Sequence, residues 1–508
     1  MANDNLAQGL RLGIVGSGAM GRGVAQIAAQ AGCQVFLYDA REGAVKEAMD
    51  FVAAMLDRQA EKGRLARADA DAAKGRLTYA GSLGELAGCD MVLEAIVEEL
   101  EAKQTLFREL ERIVSADAIL ATNTSSLSVT AIASVCSHPE RVAGFHFFNP
   151  VPLMRIVEVV PGVRTGPGVA DRLAALAEAM GHYPARTTDT PGFLVNHAGR
   201  GYYTEALRIQ GEGIADVYTL DRILRDAVGF RMGPFELLDL TGLDVSHRVM
   251  ESIYHQFYEE PRFRPSPLTR QRLTAGLLGR KSGAGFYTYA DGRRADPEPP
   301  VLGPGEVRPI WVSPADREAS TALIHCLQAA GVEVEGGPSP TKNAVCLVTP
   351  RVGDTTTTAV EGDLDPARTL AVDMFYGLDA RRTLMTNPLT DPAFRDSAVT
   401  ALSADGVPVE CIHDSPGFVV PRVVATIVNI GCDIAQQRIA EPATVDRAVE
   451  LGLGYPRGPL SMGDCYGPER ILEVLKGLYA YYGDPRYRPS PWLKRRAKLG
   501  VSLTTPEN

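Results

Sequence analysis

Over residues 10–160, short apolar runs alternate with longer stretches whose apolar positions recur every three to four residues. The runs predict strands at 12–15, 34–38, 91–95, 119–122, 142–148 and 153–160, and the stretches between them, such as 44–60 and 100–113, have the period of amphipathic helices. Strand and helix in this alternation predict a mostly parallel sheet with helices on both faces. After Asp189-Thr-Pro-Gly-Phe193 the pattern turns helical, with few β-rich runs before Gly285-Phe-Tyr287. Residues 291–309 are dense in Pro and Gly and read as a linker. Beyond them α and β alternate again over 310–410, with a strand at 310–312, a helix near 316–329 and a strand at 344–349.

The chain also repeats itself. Residues 189–242 align without a gap on 414–467. Asp189-Thr-Pro-Gly-Phe193 falls on Asp414-Ser-Pro-Gly-Phe418, Asp221-Arg222 on Asp446-Arg447, and Gly233-Pro234 on Gly458-Pro459. Residues 261–267 then match 485–491 with one residue of slippage. The helical domain is read as duplicated.

Composition narrows the function classes. At 508 residues the chain exceeds a single core, and 45% hydrophobic with 22% charged residues is ordinary for a soluble globular protein. A formal charge of −10 argues against a nucleic-acid partner, yet leaves room for a polyanionic ligand held by a few local cations. None of the eight cysteines forms a C-x-x-C pair and no histidine cluster has metal-ligand spacing, so no metal is expected and the thiols read as buried and reduced. The first eleven residues lack the apolar run of a signal peptide, and no stretch reaches the length of a membrane span. A soluble, cytoplasmic protein without a membrane partner is expected.

The first predicted strand leads into Gly16-Ser17-Gly18-Ala19-Met20-Gly21, which opens a helix. In such a loop Gly16 permits the tight turn, Gly18 lets a pyrophosphate approach the backbone and Gly21 lets helix and strand pack closely. The backbone at Ala19 and Met20 belongs to the helix N-terminus that faces the phosphates. The second strand ends at Asp39, whose carboxylate can accept both ribose hydroxyls and would repel the extra phosphate of NADP; NAD is the expected cofactor, with Arg41 a small counterweight. The α/β segment at 310–410 has no glycine fingerprint and is read as a reduced domain that does not bind a dinucleotide. The predicted organisation is an NAD-binding Rossmann domain at 1–190, a first helical domain at 191–290, the linker, a degenerate α/β segment at 310–410 and a second helical copy at 411–508.

A histidine, His146, stands inside a strongly apolar strand before the Pro-punctuated turn Asn149-Pro-Val-Pro152, and the next strand carries one acid, Glu158. Taken singly, such residues are more often a satisfied core histidine and an outward-facing acid. As a pair across a turn, a carboxylate on one imidazole nitrogen would leave the other to take a hydroxyl proton.

These motifs, with Glu94-Ala-Ile-Val-Glu98, Asn123-Thr-Ser-Ser126, Asp189-Thr-Pro-Gly-Phe193 and Gly233-Pro-Phe-Glu-Leu-Leu-Asp239, occur in an order that resembles the L-3-hydroxyacyl-CoA dehydrogenase family. The resemblance covers residues 10–290, and the repeat makes it similar to the long bacterial form that includes 3-hydroxybutyryl-CoA and 3-hydroxyadipyl-CoA dehydrogenases. It implies oxidation of an acyl-CoA substrate by NAD, with His146 as general base and Glu158 as its partner. Ser125 would bond the substrate oxygen and Asn196 would orient the thioester or carbonyl. Glu98, Lys103 and Asn149 would lie by the nicotinamide half of the cofactor, Lys281 at another cofactor contact, and Lys62 on the CoA. Two other readings are an oxidoreductase of free hydroxy acids, which would use a catalytic lysine, and a non-catalytic NAD-binding protein; the His146/Glu158 pair speaks against both.

The chain departs from the family at His197-Ala-Gly-Arg-Gly201, where an Arg usually follows the Asn and a Pro precedes the Tyr; the glycines are expected to loosen the helix start or make room for substrate. The second copy has Pro421 in place of Asn196, lacks the Lys281 segment, and reads Thr386-Asn-Pro-Leu-Thr390 where His146-Phe-Phe-Asn-Pro is sought. It is therefore expected to be silent and to pack on the first copy as an internal pseudo-dimer, which leaves a homo-oligomer open. The basic run Lys494-Arg-Arg-Ala-Lys498 reads as a solvated helix end.

Overall fold

A computed structural model describes residues 6–295 and 306–507, and the chain forms two compact units. The first runs to His197 and includes Gln437–Leu453; the second comprises Ala198–Gln436 and Gly454–Asn508.

In the first unit, β1 (Arg11–Val15), β2 (Gln34–Tyr38), β3 (Leu77–Tyr79), β4 (Met91–Glu94), β5 (Ile119–Thr122), β6 (Val142–Phe147), β7 (Ile156–Pro161) and β8 (Tyr183–Arg186) make one sheet in the order β3-β2-β1-β4-β5-β6-β7-β8. Every pairing is parallel except β6 with β7. The central strands are covered on both faces, which is why they read as continuous apolar runs: Met91 and Leu93 of β4 enter one core, Val92 the other. The expected strand at 153–160 begins only at Ile156, because residues 150–153 close a turn in which Leu153 N–H donates to Pro150 O. β3 and β8 escape the hydrophobic pattern because they are short edge strands with one fully buried residue each, Leu77 and Ala185. The helix Pro442–Leu453, from the second repeat, belongs to this unit: it packs on β7 and β8, and a Cβ at Gly452 would meet Val195 at 2.8 Å.

In the second unit, the start of the expected linker forms an antiparallel hairpin of β9 (Thr288–Ala290) and β10 (Arg293–Ala295); residues 296–305 lie outside the described chain. A second sheet follows, built from β11 (Ile310–Val312), β12 (Val334–Glu335), β13 (Val345–Val348), β14 (Thr369–Val372), β15 (Arg382–Met385) and β16 (Val409–Ile412) in the order β12-β11-β13-β14-β15-β16. It repeats the end of the first sheet, since β14 and β15 are antiparallel and β16 is parallel to β15.

The register corrects one expectation. In the first sheet His146 pairs with Glu158 and Glu158 with Ala185; in the second, Asp373 N–H donates to Thr383 O and Thr383 pairs with Glu410. Carried back one strand, the alignment of the repeats puts Thr383 in the place of Glu158 and Asp373 in that of His146. Thr386-Asn-Pro lies after β15 and is no counterpart of the His146 segment.

What the repeats share is architecture. Asp189 accepts the backbone N–H groups of Val129 and Thr130 at a helix start, and Asp414 accepts those of Thr355 and Thr356. The Pro-Gly-Phe turns that follow have left-handed Gly and Phe in both copies, with φ of 75° and 49° at Gly192 and Phe193 and 76° and 52° at Gly417 and Phe418.

The helices Arg200–Gly211 and Val420–Gln436 pack together within the second unit. A Cβ on Gly201 would lie 3.1 Å from the Ile427 backbone, so this glycine makes room for a helix of the second copy rather than for substrate. Gly201→Val should cost about 1–3 kcal/mol by overpacking and lower the thermal midpoint. Gly75→Ala, in a helix with nothing within 4 Å of the new methyl, should be neutral or mildly stabilising. Equal melting curves for the two variants would contradict this reading of Gly201.

Arg422 is buried in the same interface. It donates to Glu205 at 2.7 and 2.9 Å, to Glu212 at 2.9 Å, and to the hydroxyls of Tyr482 and Tyr487. Of the cysteines, Cys465 departs from expectation by being exposed. Among the described residues, no helix is long and apolar enough to cross a membrane.

Candidate active site

The glycine loop sits at the carboxyl end of β1. Gly16 has φ of 97°, and a Cβ there would stand 2.4 Å from Ala95 O; a Cβ on Gly21 would stand 1.8 Å from Gly16 O. Both glycines are therefore required by the backbone itself. At Gly18 an added Cβ would meet no protein atom within 4 Å. Gly18 caps the helix Ala19–Ala31 without a side-chain hydrogen bond, which leaves the first backbone N–H groups of that helix to an incoming anion. Asp39 accepts the Ser17 N–H at 2.7 Å, the Ser17 hydroxyl at 2.8 Å and the Arg41 N–H at 2.9 Å. Burial pushes its carboxyl up, but these hydrogen bonds outweigh it and hold Asp39 below the usual range. The Arg41 guanidinium pairs with Glu47 at 2.8 Å, an exposed pair of little energetic weight. These residues fit the diphosphate and the unphosphorylated ribose of NAD.

At the ends of β4 and β5 a single carboxylate organises the loop after Thr122. Glu98 Oε1 accepts hydrogen bonds from the Thr124 hydroxyl and from the N–H and hydroxyl of both Ser125 and Ser126, at 2.8–3.1 Å. Its Oε2 lies 3.2 Å from Lys103. Burial raises the Glu98 carboxyl, yet Lys103 and these donors bring it down to about 2. Lys103 itself is 1% exposed and bonds Glu94 at 2.6 Å, while Glu94 also accepts the Thr122 hydroxyl and the Ile96 N–H. Lys103, expected beside the nicotinamide half of the cofactor, is thus buried between two carboxylates and braces Glu98.

The antiparallel register of β6 and β7 sets His146 directly opposite Glu158. His146 Nδ1 lies 2.6 Å from Glu158 Oε2, with both side chains buried. The other oxygen, Oε1, accepts the backbone N–H groups of Leu194 and Val195 at 3.0 and 2.7 Å. With the carboxylate fixed on both sides, Nδ1 is the ring donor in this contact, and Nε2 is the nitrogen not engaged by Glu158. The ring is held between Phe148 and Phe193, with centroids 4.5 and 5.9 Å away, so the left-handed turn at Phe193 serves the site as well as the fold. The helix Val195–Ala198 begins on those same N–H donors and carries half-buried Asn196.

Ser125, His146, Glu158, Asn196, Glu98 and the glycine loop all belong to the first unit; His146 lies near the carboxyl end of β6, and Glu158 faces it from the amino-terminal half of the antiparallel β7. Asn149 is exposed in the turn after β6. Lys62 is exposed and caps the helix Ala44–Glu61 at its carboxyl end. Lys281 lies in the second unit, paired with Asp244. Sequence reasoning assigned no role to Glu94, Asn123 or the Leu194–Val195 backbone. Asn123 Oδ1 accepts the Phe147 N–H at 2.8 Å and ties the serine loop to the strand of His146. Glu94, the last buried position of β4, carried the one available signal; Asn123 lies just after β5 and is half-buried, and the backbone donors carried none. Among the described residues no group of acids, histidines and cysteines is arranged to hold a metal ion.

An open doubly wound sheet with a glycine loop at its switch point, beside a buried imidazole–carboxylate pair, defines a Rossmann-type nicotinamide oxidoreductase. Comparison with known proteins carries this further. Residues 11–190 match the NAD binding domain of 3-hydroxyacyl-CoA dehydrogenase, and residues 192–289 and 417–505 both match its C-terminal domain. The chain is 37% identical over 487 residues to the 3-hydroxyadipyl-CoA dehydrogenase of Escherichia coli K12, covering 96% of this chain and 97% of that protein. It is 37% identical over 281 residues to a 3-hydroxybutyryl-CoA dehydrogenase of Mycobacterium tuberculosis, covering 55% of this chain and 98% of that one. The crystal structure of 3-hydroxybutyryl-CoA dehydrogenase from Escherichia coli K12 superposes with a TM-score of 0.83 at 35% identity, covering 97% and 99% of the two chains. The chain belongs to the 3-hydroxyacyl-CoA dehydrogenase family.

Proposed function

We propose that the protein oxidises an L-3-hydroxyacyl-CoA, namely 3-hydroxybutyryl-CoA or 3-hydroxyadipyl-CoA, to the 3-ketoacyl-CoA and catalyses the reverse, with His146 as the base. The observation that carries this is the 2.6 Å contact between the buried side chains of His146 and Glu158. NAD, when bound, supplies the hydride acceptor. His146 Nε2 takes the proton from the C3 hydroxyl, and Glu158 stabilises the imidazolium that results. With substrate in place the Ser125 hydroxyl turns from Glu98 to donate, with Asn196, to the oxygen as it becomes a carbonyl, while Glu98, backed by Lys103, keeps the Ser125 N–H and holds the loop. Asn149 and Lys281 contact the cofactor and Lys62 the CoA. The domains divide at 190, 290, 309 and 410, and the second helical copy is a silent partner that replaces a subunit contact with one inside the chain.

The test follows NADH absorbance with acetoacetyl-CoA, 3-hydroxybutyryl-CoA, 3-hydroxyadipyl-CoA and the matching free acids. Turnover of the thioesters is expected; turnover of the free acids alone would overturn the reading. Asp39→Ser should narrow the preference for NAD over NADP by about tenfold or more in kcat/KM, because the charge that repels a 2′-phosphate is gone. An unchanged ratio would remove Asp39 from the ribose site.

A further inference from the structure

The second sheet also has a switch point. β11 is flanked by β12 on one side and β13 on the other, so the connections leave it in opposite directions, and open α/β sheets bind ligands in the crevice this creates at the strands' carboxyl ends. A cavity of about 180 Å³ lies there, lined by residues that follow β11, β13 and β14, among them Asp316, Arg351, Asp373 and Phe375, and by Arg470 and Glu473 of the helix Pro468–Tyr482. By the 30 Å³ share of a water in the liquid, that is room for roughly six waters or a ligand of similar size.

Its chemistry differs from that of the glycine loop. Asp316 caps the helix Arg317–Ala329 by accepting the Ala319 N–H at 3.2 Å, and Glu318 occupies the first turn. A helix start already occupied by one carboxylate and followed by another repels phosphate, which excludes a dinucleotide. Arg351 donates to Asp316 at 2.6 Å, and the Arg470 guanidinium lies 4.9 Å from the Phe375 ring centre. Asp373, in the place of His146, is 7% exposed and accepts the Phe375 N–H at 2.9 Å. Burial pushes its carboxyl up to about 6, against the pull of that hydrogen bond and of Arg470. A buried carboxylate, two guanidiniums and an apolar wall of Met374, Phe375 and Val474 therefore line one space. A simple anion would face four carboxylates there, and a simple amine on Asp373 would leave Arg470 without a counter-charge, Arg351 being already paired with Asp316.

We propose that this cavity is a second, non-catalytic binding site for an α-amino acid zwitterion with an apolar side chain: its ammonium on Asp373, its carboxylate on Arg470 and Arg351, its side chain against Phe375. The first sheet kept a reacting imidazole at this position; the second kept the place and exchanged the chemistry for recognition of charge. The proposal does not rest on the dehydrogenase reading, whose failure would appear as absent turnover.

Calorimetric titration of the full chain with L-leucine, and with 4-methylpentanoate and isopentylamine, which carry one of its charges each, tests it. Saturable binding of leucine is expected, with both single-charge probes at least about tenfold weaker. Asp373→Asn, which preserves the bond to Phe375, should weaken leucine about tenfold or more and leave NAD-linked turnover without leucine unchanged. Ala319→Phe, which fills the cavity from the helix, should abolish binding. No binding of leucine up to ~10 mM, or binding undiminished in Asp373→Asn with an unaltered melting curve, overturns the proposal.

Discussion

His146→Gln should lower kcat by about a thousandfold, within the range that a positioned base contributes, while NAD binding survives. The glutamine fills similar space, and its amide can still bond Glu158, so the sheet register and the contacts of Glu158 with Leu194 and Val195 should persist. What is lost is the basic Nε2. Cofactor titration by fluorescence and turnover with 3-hydroxybutyryl-CoA separate the two effects. Glu158→Gln should fall less steeply, about tenfold to a hundredfold, because the imidazole remains but its tautomer and its charged form are no longer held. Turnover of the His146 variant within a few-fold of the parent would remove the residue from the mechanism, whatever its geometry.

Arg422→Met should destabilise the second unit by about 3–5 kcal/mol, because it strands a fully buried Glu205 without the guanidinium that donates twice to its Oε1. Tyr487 still donates to Glu205 at 2.7 Å, and Arg486 stays 3.7 Å away, so the loss should be large without being total. Replacing both partners, Arg422→Met with Glu205→Met, should recover most of the loss, since the cost lies in the unpaired charge rather than in the missing attraction. Thermal melts of the single and double variants measure the difference. Equal midpoints for parent and single variant would contradict the network, and with it the role of the second copy as a built-in partner of the first. The active-site strand pair lies in the other unit, so soluble Arg422→Met protein should keep its His146–Glu158 geometry.

Much of the site was legible from the chain. The glycine loop was readable because two of its glycines answer a backbone demand, a Cβ at Gly16 or Gly21 colliding with main chain, while Gly18 leaves open space at the helix start. The central strands were readable because burial on both faces leaves mostly apolar residues, with Glu94, Thr122, His146 and Glu158 as buried polar positions among them. β3 and β8 were not, since an edge strand satisfies its backbone with few buried side chains. Lys103 shows the other limit. Its type and spacing suit a place beside the cofactor, and only the structure shows it buried between Glu94 and Glu98.

The sequence by itself determined the Rossmann half, the duplicated helical domain and the pairing of His146 with Glu158 across one turn, because these depend on local periodicity, glycine geometry and short-range strand register. Tertiary structure alone decided three other points. It placed Glu158 on the Leu194 and Val195 backbone, gave the Gly201 space to the helix Val420–Gln436, and set Asp373 in the place of His146. Each is a contact between segments distant in the chain, and such contacts are fixed by packing and sheet register rather than by the pattern of any one segment.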